Sequence, residues 1–163
     1  NEDLVNTLQR EITSYLTKIT EHELSEEQGS RVMALMHSVN DIERVGDHAT
    51  NLVELISIKD DKRLTFSEDA MDDVRKEFDH VIATYEGALI ALRDYDTEAA
   101  RNVKTMEKQS DRLTREFMSK NIARLNNHEM AAQSGVIVVD LLTNLERISD
   151  HSENIAEVVL GIY

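Results

Sequence analysis

The chain has 163 residues, with 18 Lys and Arg against 32 Asp and Glu, no Cys, no Pro, no Trp and a formal net charge of -14. That length fits one domain or one duplicated unit with enough chain to bury a core, and the charge argues against nucleic acid or an anionic lipid surface while favouring cations and basic partners. The lack of Cys excludes disulfides and thiolate metal sites, and no apolar run approaches the ~20 residues that a membrane-spanning helix needs.

The absence of Pro and the scarcity of Gly favour an all-α fold. The opening NEDLVNTLQREI has no basic region before an apolar one, so it does not read as a signal peptide. A first helix is predicted over 3–19, with Leu4, Leu8, Ile12, Leu16 and Ile19 at helical spacing. SEEQ, beginning at Ser25, is a capping-box pattern that starts a second helix running to about residue 58. Thr65 or Ser67 caps a third helix to about residue 93, marked by Met71, Val74, Phe78, Val81, Ile82, Tyr85, Leu89 and Leu92. This helix carries one Glu-x-x-His pair, Glu77 and His80. A di-iron carboxylate bundle needs two such pairs and two further Glu, so Glu77 and His80 read as surface residues. Asp94 or Asp96 caps a fourth helix to about residue 125, and a fifth runs from about 129 to 159. Long helices on short loops imply a bundle.

Two nine-residue stretches repeat. ERVGDHATN, at 43–51, returns as ERISDHSEN at 146–154, with Glu, Arg, Asp, His and Asn in register and Val45 matched in kind by Ile148. Upstream, EDLVNTLQREI at 2–12 corresponds to EKQSDRLTREF at 107–117, with Asn6 standing opposite Asp111. The first predicted helix therefore matches the fourth, and the second matches the fifth. The third has no counterpart. Within a single domain over 1–163, residues 1–60 read as a three-helix repeat that lacks its first helix, and 61–163 as a second repeat with all three. The helix missing from the first repeat is expected in a longer polypeptide or from a second copy of the chain.

At ~100° per residue, Asp47 lies ~40° from Glu43 and Glu54 ~20° from it, so they share one narrow stripe, with Asn51 at ~80°. Ile42, Ala49, Leu52 and Ile56 fall on the other side, so the acidic stripe points away from the core. Glu146, Asp150, Asn154 and Glu157 repeat the arrangement. Like charges one turn apart cost an isolated helix ~0.2–0.5 kcal/mol. Arg44 and Arg147 can screen that repulsion, and a bound cation would do so more strongly. Glu2/Asn6 and Glu107/Asp111 can complete such sites from neighbouring helices. Hard oxygen donors suit Mg, Mn, Ca or ferric iron, while added His would suit Zn or Fe. The competing reading is a solvated charged face. His48 and His151 sit beside the stripe, where each can hydrogen-bond a carboxylate or serve as an ordinary surface residue.

ERVGDHATNL and ERISDHSENIAE resemble the signature of the PhoU family, whose fold is a tandem pair of three-helix bundles. LQREITSYLTKI looks most like the PhoU-like domain at the C-terminus of bacterial sodium/phosphate cotransporters. The resemblance implies multinuclear metal clusters held by paired E(D)xxxD motifs, with iron as the first candidate and Mn, Zn and Mg as alternatives. Carried over, one set is Glu107, Asp111, Glu146 and Asp150. The other is Glu2, Asn6, Glu43 and Asp47, in which Asn6 departs from the pattern and removes one charge. The resemblance further implies a non-enzymatic regulatory role in phosphate transport. The expected setting is the cytoplasmic side of the cell membrane, attached to a transmembrane transporter portion of the same chain. The alternative is a stand-alone regulator of phosphate uptake and signalling. No catalytic triad, nucleophile or phosphate loop argues for an enzyme.

Overall fold

The computed structural model of the chain describes residues 2–162. It contains five α-helices: α1 Glu2–Thr20, α2 Glu26–Asp61, α3 Glu68–Asp94, α4 Thr97–Asn126 and α5 Ala132–Leu160. Their starts are written in the sequence. Ser25 Oγ accepts from the Gln28 N–H while Gln28 Oε1 accepts from the Ser25 N–H, a complete capping box. Ser67 caps α3 by accepting from the Ala70 N–H, and Asp96 caps α4 by accepting from the Glu98 and Ala99 N–H groups. The fifth helix begins three residues later than expected, because His128 turns through the left-handed region and the Glu129 N–H bonds back to the Arg124 carbonyl. Its N-cap, Ala131, has no side chain able to cap.

Helices α3, α4 and α5 each pack on the other two. Helix α2 lies along α5, and α1 packs on α2. Tandem helical bundles joined through α2 and α5, with α1 and α2 alone in the first, are thus the architecture. Three apolar clusters build the core. One joins Ala88, Ala91, Ala100, Val103, Ile155 and Ala156; a second joins Ala70, Phe117, Met130, Val138 and Leu142. The third, Val45 with Val81, Leu145 and Ile148, links α2 to α3 and α5. At the closest approach of α4 to α5, a Cβ on Gly135 would lie 2.6 Å from Leu125 Cδ2, and Asn121 Nδ2 donates to the Gly135 carbonyl at 3.0 Å. Gly46 is less demanding: a Cβ there would meet Val5 Cγ1 at 3.4 Å, an ordinary contact, which agrees with Ser149 standing at the matching place.

Apart from Val81, the buried seam of α3 differs from the apolar marks in the sequence. Ala70, Asp73, Glu77, Val81, Thr84, Ala88 and Ala91 face inward, a run of small and polar residues that lets α4 and α5 come close. Phe78, Ile82 and Leu89 are more than a third exposed, and Met71, Val74 and Phe78 line an open groove with Leu52, Val53 and Ile56 of α2. The surface assignment of Glu77 and His80 is therefore corrected. Glu77 is fully buried and accepts from Ser110 Oγ at 2.5 Å and Thr114 Oγ1 at 3.2 Å. His80 Nε2 lies 2.8 Å from the Met106 carbonyl. An ion pair fixes the end of the bundle near the start of α3, where Asp73 meets Arg124 at 2.5 Å and Lys120 at 3.5 Å.

The stripe Leu4, Leu8, Ile12 on α1 is exposed, and Leu16 is the residue of α1 that is buried among those described. Helix α1 meets α2 instead through a mixed face that includes Val5 against Gly46 and Gln9 Nε2 donating to Asn40 Oδ1 at 2.9 Å. Gly135→Ala is expected to force Leu125 aside and cost about 1–3 kcal/mol. The check is a lower urea midpoint with unchanged slope, partly restored by adding Leu125→Ala.

Candidate metal centre

Packing of α4 along α5 sets their acidic stripes opposite each other. Glu107 and Asp111, one turn apart on α4, meet Asp150 of α5. One carboxylate oxygen from each lies within 4.8 Å of the other two. Glu107 is buried, and Asp111 and Asp150 are half-buried. Glu146 lies one turn before Asp150 on the same stripe, but outside that trio.

Burial and this proximity together raise the Glu107, Glu146 and Asp150 carboxyls above their ordinary range. Burial, and then the charges of Glu153, Asp111 and Asp150, push the Glu107 carboxyl from 4.5 up to about 7. Glu146 is raised by burial and by Asp150 and Asp111. Asp150 is raised chiefly by burial, with Arg147 opposing and Asp111 adding to it. Arg115 Nη1 reaches Asp111 Oδ2 at 3.2 Å and Arg147 Nη1 reaches Asp150 Oδ2 at 3.4 Å. Both guanidinium groups are largely in water, where such pairs are weak. The repulsion is therefore screened only in part, and a multivalent cation between the three oxygens would relieve it. Oxygen-only donors fit a hard cation, so Mg, Mn, Ca and ferric iron suit this site better than a metal that seeks imidazole.

Behind the cluster, Glu77 has one carboxyl oxygen that is buried without a hydrogen-bond partner among the described residues. Burial raises its pKa against the opposing hydrogen bonds from Ser110 and Thr114, and the charge of Glu146 adds to the rise. Its neutral form is the one the interior favours.

The first set is arranged differently. Asn6 Oδ1 is buried and unpartnered, and Glu2 is exposed. Arg44 lies 3.8 Å from Glu43 and 3.6 Å from Asp47. Glu2, Glu43 and Asp47 do not form a trio like that of Glu107, Asp111 and Asp150. With Asn6 standing where the second repeat has Asp111, two carboxylates, Glu43 and Asp47, share one Arg, which leaves one negative charge in excess. Sequence reasoning passed over Glu153, whose counterpart in the first repeat is Thr50. The repeat could not flag it, whereas its place one turn beyond Asp150 could. Glu153 raises Glu107 and pairs with Lys104 at 3.1 Å; Lys104 also binds Glu157. Neither repeated His bonds to a candidate ligand. His151 Nδ1 meets Asp41, and His48 Nδ1 meets Asn144.

An all-helical repeat bundle with a cluster of carboxylates between two of its helices is the class of protein that fold and site define. The chain belongs to the PhoU domain family, which matches residues 1–56 and 74–159. It is 20% identical to the phosphate-specific transport system accessory protein PhoU homolog 1 of Thermotoga maritima, over 99% of this chain and 69% of that protein. It is 26% identical to the accessory protein PhoU homologs of Pseudomonas putida and Pseudomonas aeruginosa, over 98% of this chain and 62% and 65% of theirs. The chain thus spans about two thirds of these relatives. The crystal structure of PhoU from Pseudomonas aeruginosa superposes with a TM-score of 0.91 at 25% identity, over 98% of this chain and 76% of that one. PhoU from Streptococcus pneumoniae, titled a phosphate transport system regulatory protein, shares the fold at a TM-score of 0.85, 17% identity and 98% and 73% coverage. No described helix is long and apolar enough to cross a membrane.

Because the folded pKa of Glu107 lies above its ordinary value, the folded protein holds more protons than the unfolded chain between about 4.5 and about 7. Stability of the metal-free protein is therefore expected to fall as pH rises through that window and to level off above it. Glu107→Gln should lessen this slope in urea titrations run at a series of pH values, the remainder coming from Glu77, Glu146 and Asp150, whose carboxyls burial also raises. Carbon-detected NMR should place the Glu107 carboxyl midpoint near neutrality.

Proposed function

We propose that the chain is a non-enzymatic accessory regulator of phosphate transport that holds a hard cation between α4 and α5. The observation that carries this reading is the cluster of Glu107, Asp111 and Asp150, placed by the packing of a PhoU domain. The regulatory part is supported by relatives named as accessory proteins of phosphate-specific transport systems. Glu107, Asp111 and Asp150 are the inner ligands, with Glu146 able to join them in a larger cluster that includes iron. Bound there, the ion supplies positive charge that locks α4 to α5 and stiffens the face a partner reads. The set Glu2, Asn6, Glu43 and Asp47 is a second, weaker position. The partner is the phosphate transport system, met at the cytoplasmic side of the membrane.

A second reading is a regulatory domain fused to a sodium/phosphate cotransporter. LQREITSYLTKI is the feature behind it. The accessory reading has the stronger support, since the named relatives are accessory proteins. Expression of this domain as a separate polypeptide, in cells lacking the natural protein, distinguishes the two. The accessory regulator restores control of phosphate uptake in trans, and a fused domain does not.

Metal content of protein purified without tag or chelator tests the site directly. Wild type is expected to carry at least a stoichiometric ion, by plasma mass spectrometry. Asp111→Asn with Asp150→Asn should carry almost none while keeping the same helical circular dichroism. A wild type that neither retains nor takes up iron, manganese, magnesium or zinc would refute the metal site.

A further inference from the structure

The repeated motif contains more than an acidic stripe. On each central helix the His, and the Asn three residues beyond it, bond to the other central helix. His151 follows Asp150 and is turned ~100° from it around α5. His48 bears the same relation to Asp47 on α2.

The contacts of these residues are reciprocal. His48 Nδ1 lies 2.9 Å from Asn144 Oδ1, and Asn51 Nδ2 donates to the same oxygen at 3.1 Å. His151 Nδ1 lies 2.8 Å from Asp41 Oδ1, and Asn154 Nδ2 donates to that oxygen at 3.0 Å. The repeat aligns His48 with His151, Asn51 with Asn154 and Asp41 with Asn144. The same grip is therefore made twice, once from each helix onto the other. The two imidazoles stack between the grips, with ring centres 5.6 Å apart and planes 27° from parallel. Asn144 Nδ2 donates to the Asp140 carbonyl at 2.8 Å, which fixes the amide so that its oxygen faces α2. Both acceptors are oxygens without a hydrogen to give, so each His donates through Nδ1.

We propose that His48, Asn51, His151 and Asn154, with their acceptors Asn144 and Asp41, are positioning residues that fix the rotation of α5 and so hold Asp150 toward Glu107 and Asp111. The inference rests on the metal reading given above. A helix is stiff over the few residues concerned, so the angle that seats His151 on Asp41 also aims Asp150 at α4. The apolar contacts of Leu142, Leu145 and Ile155 press α5 into place but are not directional. The hydrogen bonds of the clasp are directional. The motif thus writes ligand and aiming device in one line: the carboxylates turn toward a neighbour within the repeat, and His and Asn turn toward the other repeat.

The test is a Mn2+ titration of the metal-free chain, following free Mn2+ by electron paramagnetic resonance, with thermal melts run beside it. His48→Ala and Asp41→Ala should each weaken Mn2+ binding about tenfold, the lower end for partners that orient ligands without touching the metal. Asp41→Asn should bind as wild type, because it installs the acceptor that Asn144 already provides in the other grip. Asn51→Ala with Asn154→Ala changes exposed side chains that the core does not need, and should weaken binding while the fold persists. Wild-type affinity in folded Asp41→Ala and in the double Asn variant would overturn the inference. So would loss of binding in His151→Ala with normal binding in Asp41→Ala, since His151 would then be a ligand. A wild type that binds none of Mn2+, Mg2+, Ca2+, ferrous or ferric iron and Zn2+ would end the metal reading and this inference with it.

Discussion

Helix α5 has neighbours on three sides, and that enclosure governs the molecule. With α2, α3 and α4 all packed on it, every polar group it carries must find a partner or lie in a gap that water or an ion can reach. Its sequence largely meets the demand in stripes, with the hydroxyls of Ser134 and Ser149 buried without a hydrogen-bond partner among the described residues. Leu141, Leu142, Leu145, Ile148 and Ile155 fill the apolar contacts. Asn144, His151 and Asn154 turn to α2, where they are matched bond for bond. Asp150 turns to α4, where it meets two further carboxylates, while its ion-pair partner Arg147, on its own helix, is largely in water. One face of the helix is thus left electrostatically unsatisfied beside two that are satisfied.

Helix count and caps were legible in the sequence because each has a local cause. Ser25 with Gln28, and Asp96 before Ala99, encode helix starts within four residues. The two acidic stripes were legible because the i, i+4 spacing of Glu107/Asp111 and Glu146/Asp150 places each pair on one face of its helix. The register between stripes was not, since it depends on how α4 and α5 slide on each other. That register brings Asp150 into the trio and leaves Glu146 a turn away.

The inner face of α3 was hidden for a different reason. Hydrophobic periodicity points to the largest apolar residues, and on α3 those lie beside the seam and not in it. Close helix approach selects Ala70, Ala88, Ala91 and Thr84, and it encloses Asp73 and Glu77 only because Arg124, Ser110 and Thr114 reach across to them. A carboxyl paired across a tight seam looks, in one dimension, like any surface acid. The His and Asn of the repeated motif were obscure in the same way, because their partners Asp41 and Asn144 lie on the other repeat.

Helix α1 gives the two copies of the motif unequal footing. It is held through one partner, α2, and Leu16 is its one buried anchor among the described residues. Segments with so few buried contacts open locally at small free-energy cost, far below that of global unfolding. Asn6, whose side-chain oxygen is enclosed without a partner, would meet solvent each time α1 lifts. The seam of α4 and α5 has no such freedom, since α3 braces both. An ion held by the first copy would therefore come and go on the timescale of a fraying helix, and one held by the second would leave only when the core itself loosens.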